Sequence, residues 1–173
     1  QIAPHLSKDT CVDLGKYASM DVAPAVKVCS RETSAALEFM IDHHGWEEKC
    51  RATAKFCYMV GKWHAYMSGR IPLLAFVKNN PARNATIIEF LEEFADFIAT
   101  LKVHATQESF WLVQKTVLLA TWSIIHLAKK LIDEGDMKMF MAGRTLGDVI
   151  ENLHSLIRAI NPYPGPVLYI RIF

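Results

Sequence analysis

The residues from Gln107 to Glu134 place the strongest constraint on how this chain can fold. They predict one long helix with apolar side chains on nearly every side of it, at Phe110, Trp111, Leu112, Val113, Val117, Leu118, Leu119, Trp122, Ile124, Ile125, Leu127 and Leu131. A helix that is apolar all round is normally buried by other helices packed around it. We therefore expect this helix to be the centre of the fold.

The same stretch raises the question of a membrane span, because about 20 apolar residues are enough to cross a bilayer. Polar residues interrupt the run, and Lys115 near its start would be costly in lipid. The sequence therefore favours a buried core helix and predicts no stable membrane span. A third interpretation stays open, in which a helix that is buried in solution inserts into a membrane after the bundle unfolds.

Two further helices have clear apolar seams. The first runs from Trp46 to Ser68, with seam residues at spacings of four and three: Trp46, Cys50, Thr53, Cys57, Val60, His64 and Met67. The second begins at Pro81, with Asn80 as its N-cap, and its seam is Ile87, Leu91, Phe94, Ile98 and Leu101. Shorter helices are expected at 7–17, 21–29, 30–45, 71–77 and 145–160.

The last residues, 162–173, predict an extended tail, because Pro162, Pro164 and Pro166 cannot continue a helix. The segment Val167–Phe173 has the composition of an exposed strand, so we expect it to dock on the bundle, to pair with a second copy in a homodimer, or to bind a partner. Taken together, the patterns predict a single all-α domain over residues 1–173. Its expected architecture is a bundle of six to eight helices around the central one at about 107–134.

The four cysteines all lie in the first third of the chain, at Cys11, Cys29, Cys50 and Cys57. An even number of cysteines, a start at Gln1 such as signal-peptide removal leaves, and the N-glycosylation acceptor at Asn84 together predict a secreted glycoprotein with two disulfides.

Helix geometry restricts how these cysteines can pair. Cys50 and Cys57 lie about 10.5 Å apart along a helix axis, which is too far for a disulfide. Each must therefore reach back to Cys11 or Cys29, which staples residues 1–30 onto one helix. A turn at Gly45 would bring Cys29 near Cys57, so we predict Cys29–Cys57 with Cys11–Cys50. Cys11–Cys57 with Cys29–Cys50 is the alternative.

The chemistry-bearing residues do not form a recognisable catalytic motif. The serines lack a nucleophile elbow, and the paired His43 and His44 lack a third ligand at a fixed spacing. The chain has a formal net charge of +1 and no basic stripe interleaved with aromatic residues, which speaks against nucleic-acid binding. We therefore expect a protein that is not an enzyme and that uses no cofactor or metal.

Methionine and aromatic side chains are dense among the predicted helices, which suits an adaptable apolar cavity. We expect such a cavity between the central helix and those at Trp46–Ser68 and Pro81–His104, lined by Met59, Trp63, Phe90, Phe97, Trp111, Trp122 and His126. The resulting first hypothesis is a secreted carrier of a small hydrophobic ligand. The alternatives are a secreted effector that acts through a protein–protein surface and, more weakly supported, a membrane-perturbing bundle.

Overall fold

The fold is mostly helical, as the sequence predicts. A computed structural model describes residues 3–6, 22–102, 107–147, 155–157 and 159. Five α-helices lie within these residues: α1 (Val22–Val28), α2 (Arg31–His44), α3 (Cys50–Ser68), α4 (Pro81–Thr100) and α5 (Gln107–Lys129). The helix predicted at 7–17, most of the one predicted at 145–160, and the tail at 162–173 lie outside the described residues.

The helix ends follow local capping chemistry. The Ser30 hydroxyl accepts a hydrogen bond from the Thr33 N–H at 3.2 Å, which caps α2. At the other end of α2, Gly45 has φ 68°, a left-handed conformation that is favourable for glycine. The Asn80 side chain caps α4 by accepting from the Arg83 N–H at 3.1 Å. These three predicted boundaries are confirmed, whereas α3 begins at Cys50 and not at Trp46.

Two short strands join distant parts of the chain. Strand β1 (Phe76–Val77) pairs antiparallel with β2 (Met139–Phe140), and the Phe76 and Phe140 rings stack with centroids 6.0 Å apart. Short 3-10 helices flank the pair at Pro72–Leu74 and Ala142–Arg144. Of the helix predicted at 71–77, only the 3-10 helix Pro72–Leu74 is helical, and Phe76–Val77 form a strand instead. Its backbone groups bond to a strand more than sixty residues away, and local sequence gives no signal of such a partner.

The described core is organised around α4. This helix buries seven residues along one face, namely Asn84, Ile87, Phe90, Leu91, Phe94, Ala95 and Ile98. From α3, Met59 joins the same apolar cluster, and Ile125, Ala128 and Ile132 join it from α5 and the segment after it. Leu91 is 0% exposed and Phe94 is 1% exposed, so the most deeply buried side chains belong to α4.

Helix α5 is not wrapped on all sides, so the expectation of a central helix at 107–134 is wrong. One face is buried through Thr121, Ile125 and Ala128, whereas Trp111 is 60% exposed and Leu119 is 67% exposed. Among the described elements, α5 packs chiefly against α4 and against its own continuation. Apolar composition allows a helix to be buried all round, but burial also requires neighbours, and the described residues supply them on one side of α5 only.

The end of the long helix also differs from expectation. After Lys129 the chain continues as one turn of π-helix, Lys130–Glu134, before Gly135. Gly135 has φ −96° and ψ 177°, so it is extended and does not have the left-handed conformation with which glycine often ends a helix.

Hydrogen bonds near both ends hold α5 antiparallel to α4, and a further one joins α5 to α3. The Gln114 amide donates to the carbonyls of Ile98 and Leu101 at 2.8 and 2.7 Å, near the C-terminal end of α4. At the opposite end of the pair, the Lys78 ammonium donates to the Gly135 carbonyl at 2.8 Å. In between, α3 contacts α5 through a hydrogen bond from the Trp63 indole N–H to the Thr121 hydroxyl, at 2.9 Å.

The contrast between α4 and α5 leads to a stability prediction. Leu91→Ala removes a side chain from the packed interior and should lower the free energy of unfolding by about 3 kcal/mol. Leu119→Ala makes the same chemical change on the exposed face of α5 and should change it by about 0.5 kcal/mol or less. Urea denaturation of both variants measures the difference. Equal losses would contradict the position of α4 at the core.

Candidate functional site

The most distinctive surface feature is an apolar stripe on the outward face of α5. It consists of Trp111, Leu112, Leu119 and Trp122, which are 60%, 61%, 67% and 40% exposed. We call these four residues the outer stripe. Single exposed apolar residues are ordinary, but a contiguous exposed apolar patch marks a surface that binds something.

Three residues of the outer stripe have, together with Lys115, the spacing of a helix-packing seam. Trp111, Lys115, Leu119 and Trp122 follow one another at intervals of four, four and three residues, so they lie within a sector of about 80° on the helix. Alternation of threes and fours is the spacing with which one helix packs along another. From Trp111 to Trp122 the seam is about 16 Å long, or three helical turns.

Positive charge accompanies the stripe. The Lys115 ammonium lies 5.0 Å from the centroid of the Trp111 ring, a cation–π contact. Within the part of the chain that the structure describes, this ammonium has no carboxylate partner. One turn beyond Trp122, the exposed His126 ring donates through Nδ1 to the Trp122 carbonyl at 2.7 Å. The apolar outer stripe thus has the Lys115 ammonium beside it, and no carboxylate among the described residues pairs with that ammonium.

Sequence reasoning missed Lys115, Leu112 and Leu119 as candidate site residues. The signal was present, because Lys115 is the only charged residue between Glu108 and Lys129. A single lysine in an otherwise uncharged helix indicates which face meets water.

The seven residues predicted to line a cavity are divided between two places. Met59 and Phe90 are buried in the core cluster, and Trp63 and Phe97 are partly buried against it. The Trp63 ring stacks on Phe94 with centroids 5.1 Å apart and an interplanar angle of 15°. These four side chains therefore pack as part of a filled interior.

The other three candidates point away from that interior. Trp111, Trp122 and His126 are exposed on α5, whereas the predicted cavity would need them enclosed, so the structure does not support their role in ligand binding, which stays a prediction. The difference follows from the expectation that α5 would be surrounded. Among the residues that the structure describes, neighbours lie on one side of α5, and Trp111, Trp122 and His126 are not covered by them.

A groove of about 550 Å³ opens instead between α2 and α3. Its lining is made of Ser34, Glu38, Arg51, Ala52, Lys55 and Tyr58, whose aliphatic and aromatic carbon atoms supply much of the surface. The Arg51 guanidinium beside this groove is held by the carboxylates of Glu48 and Asp42, at 2.6 and 2.9 Å. An open groove with charged side chains at its rim does not resemble the enclosed cavity that a hydrophobic-ligand carrier requires.

Two of the four cysteines come together. The pKa of Cys29 is lowered to about 7 because its thiolate accepts a hydrogen bond from the Cys57 thiol. The pKa of Cys57 is raised by donating that hydrogen bond and by burial. Cys29, Cys50 and Cys57 are all free thiols. The contact favours the predicted pairing of Cys29 with Cys57, but the bond itself stays a prediction, and Cys11–Cys50 involves a residue outside the described ones.

Asn84 is a structural residue. Its side chain is buried at 9% exposure, where Oδ1 accepts from the Val77 N–H at 2.9 Å and Nδ2 donates to the Val77 carbonyl at 3.0 Å. The exposure on which the glycosylation prediction depended is therefore absent. A glycan would attach at the same Nδ2 that holds strand β1 against the first turn of α4.

No group of three or more His, Cys, Asp or Glu side chains within the described ranges is arranged to hold a metal ion. The segment Trp111–Glu134, 24 residues with mean hydropathy 1.2, is long and apolar enough to cross a membrane, and 22% of its most apolar window is buried. Core helices of soluble proteins meet the same criterion, so length and composition alone do not establish a span.

Comparison with known proteins adds no assignment, since no family model, no curated protein and no solved structure matches the chain.

The role of Asn84 can be separated from glycosylation by two variants that both destroy the acceptor tripeptide. Asn84→Ala removes two buried hydrogen bonds and should lower the free energy of unfolding by about 2 kcal/mol. Thr86→Ala removes an exposed hydroxyl and should have an effect within about 0.5 kcal/mol. Thermal and urea denaturation, with intact mass after secretory expression, provide the measurement. Equal destabilisation by both variants, together with a glycan on the parent chain, would contradict the structural role.

Proposed function

We propose that this chain is a non-enzymatic binding protein that acts through a protein–protein surface, the outer stripe of α5. We further propose that its partner presents an amphipathic helix with an apolar seam and carboxylates on its flank. The observation that carries the proposal is the exposure of Trp111, Leu112, Leu119 and Trp122 on one face of a helix whose opposite face is packed into the core.

A helical partner is favoured by the shape of the surface. The outer stripe is one helix wide and about three turns long. The spacing of fours and threes in Trp111, Lys115, Leu119 and Trp122 matches the grooves of a second helix. Tryptophan is also among the residues that contribute most binding energy at protein interfaces. Two tryptophans at the ends of one stripe, with leucines between them, would anchor a short helix.

The acidic flank is inferred from charge. Burying Lys115 under a partner without a counter-ion would cost free energy, because its ammonium would lose water. A carboxylate on the partner would compensate for that loss and would speed association. Because Lys115 pairs with no carboxylate among the described residues, it is available for such a contact.

The carrier hypothesis is less well supported than this alternative. It required a cavity bounded by α3, α4 and α5, and the residues that were to line it either pack in the core cluster or lie on the outer face of α5. Secretion, a single domain over residues 1–173, the Cys11–Cys50 bond and the additional helices of a six-to-eight-helix bundle stay predictions. None of them is needed for the proposed surface.

Two synthetic peptides test the proposal directly. Each is an 18-residue amphipathic helix with the same leucine seam, flanked in one peptide by glutamates and in the other by lysines. Fluorescence anisotropy should show tighter binding of the glutamate peptide, and Leu119→Glu should weaken that binding by at least about tenfold. Lys115→Glu should reverse the preference between the two peptides, because it changes the sign of the charge inside the stripe.

The matched control is Ala35→Glu, which adds the same charge at an exposed position on α2 and should leave binding unchanged. Equal binding of both peptides, or binding that Leu119→Glu does not weaken, would overturn the proposal. A different result would be that neither peptide binds, while the chain binds phosphatidylcholine–phosphatidylserine vesicles or self-associates and Leu119→Glu abolishes that binding. The surface would then be a membrane or homodimer contact, and the proposal would be wrong.

A further inference from the structure

The contact between Cys29 and Cys57 depends on close packing of the chain against α3. Cys29 lies at the junction of α1 and α2, and Cys57 lies in the middle of α3. One turn after Cys57 comes Gly61, where a side chain would be only 2.6 Å from the Cys29 carbonyl oxygen. The absence of a side chain at Gly61 therefore lets the Cys29 backbone lie directly on the face of α3 that carries Cys57.

The two thiols differ in access to solvent. Cys29 is half-buried, whereas Cys57 is 4% exposed. A small reagent in solution therefore reaches the Cys29 sulfur first and reaches the Cys57 sulfur only through Cys29 or after local opening. The lowered pKa of Cys29 adds to this difference, because a larger fraction of Cys29 is the nucleophilic thiolate at neutral pH.

We propose that Cys29 and Cys57 form a reversible redox-modification site, in which Cys29 attacks small-molecule disulfides such as glutathione disulfide and Cys57 resolves the product. Cys29 is partly exposed, so its sulfur can react with small molecules in solution. The close packing at Gly61 holds Cys57 against it. This site is independent of the outer stripe of α5.

The chemistry consists of two thiol–disulfide exchanges. In the first, the Cys29 thiolate attacks one sulfur of glutathione disulfide, the S–S bond breaks, and one glutathione leaves as a thiolate. In the second, Cys57 loses its proton and attacks the Cys29 sulfur of the mixed disulfide, which releases the second glutathione. The two cysteines are oxidised to one disulfide, and glutathione disulfide is reduced to two molecules of glutathione that take up the two protons.

Oxidation would have a structural consequence for α1. This helix is seven residues long and none of its residues is buried. A bond between Cys29 and Cys57 would fasten the end of α1 to α3 and would constrain the unfolded chain. Thiol reduction would release that constraint without disturbing the core around α4.

Peptide mapping by mass spectrometry tests the site in the full chain. The reduced protein is treated with glutathione disulfide at pH 7, free thiols are blocked with iodoacetamide, and the digest is analysed. The parent chain should give a linked Cys29–Cys57 peptide. Cys57→Ser, which keeps the size of the side chain but cannot resolve, should accumulate a glutathione adduct on Cys29. In Cys29→Ala, the glutathione adduct on Cys57 should be at least about tenfold less abundant than the Cys29 adduct in Cys57→Ser.

The rate at which Cys29 is alkylated depends on its hydrogen bond with Cys57 and not only on the exposure of Cys29. Cys57→Ala removes the hydrogen-bond donor and should slow alkylation of Cys29 at pH 7 by about threefold, with Cys50 in the same sample as the unchanged control. Circular dichroism shows that each variant is folded. A persistent glutathione adduct on Cys29 in the parent chain, a Cys29–Cys50 link, or a Cys29–Cys57 link that forms only in urea would each overturn the proposal.

Discussion

The burial of one face of α4 is the constraint on which the rest of the described structure depends. Aromatic contacts bring α3 to that face: Trp63 stacks on Phe94, and Tyr66 tilts against Phe90 with centroids 5.7 Å apart. The Lys62 ammonium lies 4.0 Å from the centroid of the Phe90 ring, which adds a cation–π contact between α3 and α4. Because α4 is apolar over most of its length and flanked by both α3 and α5, it fixes the positions of its neighbours.

The free face of α5 is a direct consequence of that arrangement. The Gln114, Trp63–Thr121 and Lys78 hydrogen bonds hold α5 in one rotation about its axis, with Ile125 and Ala128 directed towards α4. A helix that is apolar nearly all round cannot hide both faces against a single layer of neighbours. The residues of α5 that do not face α4, such as Leu112 and Leu119, are therefore exposed at the surface, and one side of a largely apolar helix becomes a candidate binding surface.

Much of the local structure could be predicted from sequence because its causes are local. Ser30, Gly45 and Asn80 mark helix ends through side-chain caps and backbone conformation that do not depend on the rest of the chain. The periodic seam at Ile87, Leu91, Phe94 and Ile98 identified the buried face of α4 correctly. The spacing of three and four residues is a property of the local sequence and does not depend on which element packs against the helix.

The predictions that failed concern features that depend on residues distant in the sequence. The pairing of Phe76–Val77 with Met139–Phe140 joins segments on either side of the α4–α5 pair, and neither segment reveals the other. For the same reason the buried position of Asn84 was missed, since its partner is the backbone of β1. The sequence of α5 shows that burial on all sides is possible, and only the arrangement of its neighbours decides which side is buried.

Fluorescence quenching of single-tryptophan variants tests the one-sided burial of α5 most directly. The chain has four tryptophans, so one variant retains Trp63 and another retains Trp111, with phenylalanine at the other three positions in each. At concentrations where the protein is monomeric, Trp111 should emit at the wavelength of a hydrated indole and be quenched strongly by acrylamide, whereas Trp63 should be blue-shifted and resist quenching. A blue-shifted Trp111 that resists acrylamide as well as Trp63 does would mean that α5 is enclosed, which would contradict both the fold and the binding surface described for it.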